Sequence, residues 1–267
     1  MTGTFLGTCG WEYPEWSGRV YPKGGPADHL RYYASLFPVV EVDMTFYRRP
    51  SPRQVASWVA RTPGRFRFTA KLPRTITHEL RLERTDEELA RFREAIHPLA
   101  DSGRLACLLA QLPPSLPFVE GTVRRFYEAL PADLPCAVEF REPSWLGEES
   151  IRLLREFSLA YVVVDEPLLP IRLEVTAPFA YVRWHGRGRE VWYDYRYSAA
   201  ELDAWVPRVR ELESRSRTVY GFFNNHFRGD AVANCRELSE MLGVPGPPGP
   251  GLGSGTAPER PTGGQRA

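Results

Sequence analysis

Apolar positions along the chain fall into short runs rich in β-branched and aromatic residues, separated by stretches with helical spacing. The runs are Thr4–Cys9, Val39–Thr45, Arg65–Leu72, Leu105–Leu112, Cys136–Arg141, Ala160–Asp165, Phe179–His185 and Thr218–Asn225. The intervening spacing predicts helices over Asp28–Phe37, Arg53–Arg61, Asp86–Leu99, Glu120–Leu130, Leu146–Phe157, Ala199–Glu213 and Val232–Leu242. Only the sixth run lacks a good following helix: Pro167, Pro170 and Pro178 interrupt that segment, which predicts a long loop. Eight strands alternating with seven or eight helices in roughly 240 residues is the count of an α/β protein with a single (β/α)8 TIM barrel over residues 1–243. A doubly wound open sheet is the alternative, but it usually has fewer strands at this length, and no Gly-rich dinucleotide fingerprint follows the first run. Residues 244–267 are expected to form a disordered tail, since thirteen of the 23 residues from Pro245 to Ala267 are Pro or Gly.

Alternation within the runs splits each strand into two faces. Glu41, Asp43 and Thr45 share one face of the second run, Thr69 and Lys71 one face of the third, and Glu139 and Arg141 one face of the fifth. In the seventh, Tyr181, Arg183 and His185 oppose Val182 and Trp184. The outer face of a barrel strand packs on helices and must be apolar, so the polar face points inward. Its charges crowd toward the C-terminal strand ends, where barrel enzymes place their sites, and Gln111, Asp165, Asn224 and Asn225 stand at further strand ends. An ion-pair network that merely holds the barrel together is the structural alternative. Val, Ile and Leu would fill a barrel at lower desolvation cost, which favours a ligand site.

Composition narrows the partners. The net charge is +1, from 34 basic and 33 acidic residues, so no global field draws nucleic acid or membrane. Lys occurs only at positions 23 and 71, and every other basic residue is Arg. Cys9, Cys107, Cys136 and Cys235 are too scattered for a metal finger. No stretch approaches a membrane span and no signal-peptide pattern opens the chain, so a cytoplasmic location is expected.

Ordered motifs from Gly7 to about Leu242 carry a family resemblance. They include Gly7–Trp11, Glu41-Val42-Asp43 with Thr45-Phe46-Tyr47, Lys71 with Thr77-His78, and Gln111-Leu112-Pro113-Pro114. Further along come Glu139-Phe140-Arg141 with Ser144-Trp145, Asp165, Arg183-Trp184-His185-Gly186-Arg187 and Phe223-Asn224-Asn225-His226. With these the chain resembles the YecE-like family, domain of unknown function 72. The resemblance implies a TIM barrel and no established activity. Cys9 stands where that family more often has Ser, and Asp43 where Asn is common.

The residues point to an enzyme, a hydrolase, lyase or isomerase, using acid–base chemistry on a small anionic ligand. The ligand would carry phosphate or carboxylate and could be sugar-like. Glu139, His185, Glu41 and Lys71 are the catalytic candidates. Arg141, Arg183 and Arg187 are expected to hold the anion, Arg187 from a glycine-flanked loop after the seventh strand. Trp11, Tyr13, Asp43, Tyr47, Gln111, Asp165, Asn224 and Asn225 complete the expected binding set, with His78 and His226 as secondary candidates. Trp11, Tyr13 and Trp16 lie in the stretch GTCGWEYPEWSGRVYP and either wall the pocket or plug the barrel top. No cofactor is required; a divalent metal on Glu41, Asp43, Glu139, Asp165, His185 and Asn224 is the minority case. A nucleotide or nucleic-acid protein and a non-catalytic ligand-binding barrel are the rival classes.

Overall fold

The computed structural model describes residues 3–244. The tail expected from 244 onward thus lies, beyond Val244, outside the described residues. Eight parallel strands close into a barrel in sequence order: β1 (Gly3–Cys9), β2 (Val39–Val42), β3 (Arg67–Lys71), β4 (Leu105–Gln111), β5 (Cys136–Glu139), β6 (Ala160–Asp165), β7 (Phe179–Trp184) and β8 (Thr218–Phe223). Strand β8 pairs back onto β1, from Gly3 opposite Thr218 to Thr8 opposite Phe223. Closure leaves no exposed sheet edge among these strands.

Helices α1 (His29–Tyr33), α2 (Met44–Tyr47), α3 (Pro52–Arg61), α4 (Asp86–Asp101), α5 (Glu120–Ala129), α6 (Glu148–Glu156), α7 (Ala199–Asp203), α8 (Val206–Arg215) and α9 (Asp230–Met241) connect the strands. Their starts follow local chemistry. Ser51 caps α3 by accepting from the Gln54 amide, with Pro52 in the first turn, and Ser198 and Glu201 form a capping box on α7. The single helix expected over Ala199–Glu213 is two, α7 and α8, with Pro207 in the first turn of the second. No helix separates β6 from β7, as the three prolines of that segment predict.

The second run is shorter as a strand than its alternation suggests. β2 stops at Val42, and Met44–Tyr47 turn into α2. Thr45 fixes this turn: its hydroxyl donates to the carbonyls of Val42 and Lys71 at 2.8 and 2.7 Å. It therefore ties the exit of β2 to that of β3.

Outward residues such as Val40, Val42, Val138, Val182 and Trp184 join the helices in one core cluster. A second cluster fills part of the barrel interior with Val39, Cys107, Leu109, Ala137, Val162 and Phe222. No helix among the described residues is long and apolar enough to cross a membrane.

Candidate functional site

Toward the C-terminal strand ends the interior becomes polar, and its side chains form one connected series. The Thr69 hydroxyl lies 3.0 Å from that of Tyr181, which donates to Oε2 of Glu41 at 2.5 Å. Arg183 donates from Nη2 to Oε1 of Glu41 at 2.6 Å and from Nη1 to Oε2 of Glu139 at 2.5 Å. Arg141 donates from Nε to Oε1 of Glu139 and from Nη2 to Nε2 of His185, the latter at 2.8 Å. Nδ1 of His185 lies 2.9 Å from the Asn224 side-chain amide. Strands β2, β3, β5 and β7 and the exits of β5, β7 and β8 thus deliver one residue after another to the barrel axis. Two-residue alternation stacks Tyr181, Arg183 and His185 along β7.

Electrostatics divide this series. Burial would raise the Glu139 carboxyl, but Arg141, Arg183 and His185 outweigh it and hold it well below the usual carboxylate range. Burial and then Arg141 bring the His185 imidazole down to about 3, so the ring is neutral. Nε2 faces Nη2 of Arg141 and, at 3.3 Å, Oε1 of Glu139, while Nδ1 faces the Asn224 amide nitrogen. Glu41 is different: burial, with Asp43 adding and Arg183 opposing, lifts its carboxyl to about 7.

Cys9 Sγ and carboxylate oxygens of Glu41 and Asp43 lie within 4.8 Å of one another, as metal ligands can. Nη2 of Arg183 reaches all three, at 3.6 Å from Sγ, 2.6 Å from Glu41 and 3.6 Å from Asp43. A divalent cation among them would face the guanidinium at close range. The donors fit the fixed cation already there better than a metal.

Known proteins place this architecture. A family model described as "Protein of unknown function DUF72" matches residues 5–254. The chain belongs to the DUF72 family. It is 30% identical to UPF0759 protein YunF of Bacillus subtilis (strain 168) over 90% of this chain and 95% of that protein. UPF0759 protein YecE of Escherichia coli O157:H7 is 31% identical over 89% of this chain and 90% of its own length. A crystal structure of a DUF72 family protein from Thermotoga maritima MSB8 superimposes with a TM-score of 0.82 at 36% identity, covering 90% of this chain and 99% of that one. These relatives carry no established activity, so the site must be read from its own chemistry.

At the solvent end of this DUF72 barrel stand Lys71 and Asp43. Lys71 Nζ lies 3.9 Å from Asp43 Oδ1 and 4.3 Å from the centre of the Phe46 ring. Among the described residues Nζ makes no hydrogen bond, and Asp43 Oδ1, though buried, has no hydrogen-bond partner. Gln111 stands opposite Glu139 in the β4–β5 register and donates to the Leu112 carbonyl. Tyr13 borders the same end: its hydroxyl donates to the Cys9 carbonyl at 2.6 Å, and its ring stacks on His226 with centroids 4.4 Å apart. Gly10 makes this possible, with a φ of +75° and a Cβ position that would meet the Tyr13 hydroxyl at 2.9 Å.

Other sequence candidates lie elsewhere. Trp11 packs edge-on against Trp58 of α3 in the core, and the fully buried Trp16 donates from its indole to the His226 carbonyl. Of Trp11, Tyr13 and Trp16, only Tyr13 faces the polar interior. Tyr47 is 80% exposed on the rim, its ring edge-on against Phe46. Asp165 shares its strand face with Tyr161 and Val163, toward the helices. It accepts from the Trp205 indole at 2.7 Å and from Nε of Arg187 at 2.8 Å. Arg187 is thereby drawn off the barrel axis. Asn225 donates to the Tyr195 carbonyl and to Asn234 of α9, fastening the loop after β7.

Tyr193 was not among the sequence candidates. Its ring lies 6.1 Å from His185 and 5.8 Å from His226, and burial raises its hydroxyl, with Arg141 and Arg183 opposing. It sits in a loop without periodicity, so only its place beside the glycine-flanked Arg187 could have pointed to it.

Proposed function

We propose that the barrel mouth binds a small anionic ligand beside Lys71 and Asp43 and transfers a proton to or from it. The observation that carries this reading is the pair of side chains without hydrogen bonds, Lys71 Nζ and the buried Asp43 Oδ1, 3.9 Å apart at the solvent end of the network in which Arg183 joins Glu41 to Glu139. Buried polar atoms are normally hydrogen-bonded, so a donor and an acceptor both left open at one place suit a ligand that is both acid and base partner. Lys71 supplies a point charge for carboxylate or phosphate, and Asp43 a proton acceptor within reach of the same molecule. Tyr13, Tyr193 and His226 offer ring faces to a sugar-like or planar body.

The inner residues then take supporting roles. Both Nη groups of Arg183 are engaged by carboxylates, and Glu139 is held by two guanidiniums. They set the field at the mouth rather than touch the ligand. Glu41 is the reserve proton carrier, 2.6 Å from the arginine that also approaches Asp43. A ligand-binding barrel without turnover is the second reading, favoured by how completely Glu139 and His185 are engaged.

Hydrogen–deuterium exchange separates the readings. A panel of sugar phosphates and hydroxycarboxylates is incubated with the protein in D2O and followed by NMR. Exchange at a carbon next to the anionic group, lost in Asp43→Asn while binding persists, supports proton transfer. Binding with no exchange across the panel supports the non-catalytic barrel. Salt-sensitive binding of oligonucleotides, with no small anion bound, would turn the assignment to nucleic acid.

A further inference from the structure

A cavity of ≈ 580 Å³ opens between the β6–β7 segment and the loop after β7. Lys71, Asp43, Arg141, Tyr13 and Tyr193 do not line it, so it is separate from the barrel mouth. Pro167, Pro170 and Ile171 form one wall, and Trp192 with Arg187 and Arg189 the other.

Both walls are fixed by interactions that do not involve a ligand. The Glu166 carboxylate, which also lines the cavity, accepts from the amides of Leu168 and Leu169, each at 2.8 Å, which shapes the proline wall. Arg187 is clamped by buried Asp165 through Nε and Nη2 at 2.8 and 2.6 Å. Gly186 has a φ of +89°, and a Cβ there would meet the Trp192 carbonyl oxygen at 2.3 Å. The loop therefore folds tightly back and sets Trp192 on the wall. Arg189 alone is left over: among the described residues it makes no ion pair and no hydrogen bond, and it lines the cavity.

Proline rings and an indole make stiff walls, which lose little conformational freedom when a ligand packs on them. The cavity's volume falls within the range of small-molecule sites. A guanidinium fork without a partner at the edge of such a cavity recognises a carboxylate. We propose that this cavity is a second ligand site, taking a flat aromatic carboxylate with its ring between Trp192 and the prolines and its carboxylate on Arg189.

Two probes of the same shape test this: 2-naphthoate and its uncharged counterpart naphthalene-2-carboxamide, titrated against the full chain by calorimetry. The carboxylate should bind saturably and about tenfold more tightly than the carboxamide, a typical yield for one exposed charge-assisted contact. Arg189→Gln, at an exposed position, should erase that preference, and Trp192→Leu should weaken both probes. Lys71→Met, in the barrel mouth, should leave the preference intact. No saturable binding, equal affinities, or a preference that survives Arg189→Gln would overturn the assignment. A preference lost in Lys71→Met would equally overturn it, by moving the probe to the mouth.

Discussion

Nη1 of Arg183 meets Oε2 of Glu139 at 2.5 Å where the Arg183 side chain is 1% exposed and that of Glu139 is fully buried. Removing one partner of such a pair leaves the other charged and dry, at a cost of about 3–5 kcal/mol. Arg183→Met should therefore destabilise the fold by that amount, measured by urea denaturation at neutral pH. A loss below about 1 kcal/mol would mean that water or a shifted pKa compensates for Arg183, contrary to a sealed network.

Glu41 predicts a pH signature of its own. Its folded carboxyl titrates at about 7, above the ordinary 4.5, so the folded state holds a proton that the unfolded chain releases. Stability from this group is complete below pH 4.5 and is lost as pH rises toward 7, at ~1.4 kcal/mol per unit. Glu41→Gln should gain on the wild type across that window and run parallel to it above. Parallel curves throughout would contradict the raised carboxyl. The comparison uses denaturant midpoints at half-unit pH steps.

His185 works in the opposite direction. Its folded value of about 3 lies below the ordinary 6.5, so stability is full above pH 6.5 and is lost as pH falls. His185→Gln should gain on the wild type as pH drops below 6.5. Between 4.5 and 6.5 the two groups offset one another, so the wild-type curve should be flatter there than that of either variant. A wild-type curve that falls steeply across this interval would show that one of the two shifts is absent.

Much of this site was legible in the alternation of β2, β3, β5 and β7, because each pairs one apolar face with one polar face. Glu41, Lys71, Glu139, Arg183 and His185 all stand on the axis side that their phase predicts. Strand β6 gave no such guidance. Tyr161 to Val164 is apolar on both faces, so Asp165 could not be phased, and it faces the helices. Loops carry no period at all, which is why Tyr193 went unseen and why Trp11 and Tyr13, two residues apart, part company. The barrel itself was readable from run count, and the missing helix after β6 from its prolines. The split into α7 and α8 was not, because helical periodicity runs through a single-turn break.

Trp11 and Tyr193 should separate packing from binding. Trp11 is 8% exposed and lies against Trp58, so Trp11→Ala should cost about 3–5 kcal/mol of stability and leave ligand affinity unchanged. Tyr193→Ala should do the reverse, weakening a ring-bearing anion severalfold with a small stability change. Affinity loss in Trp11→Ala, measured by calorimetry under conditions where the variant is folded, would return Trp11 to the pocket.

The most direct test of the anion-binding mouth is the position of an anomalously scattering phosphate isostere. Crystals soaked in arsenate should show an arsenic peak within about 4 Å of Lys71 Nζ, one As–O bond beyond hydrogen-bond distance, beside Asp43 and under Tyr193, and Lys71→Met crystals should lose it. Arsenate bound only at other surfaces, with the mouth free of it in wild-type crystals, would contradict the account.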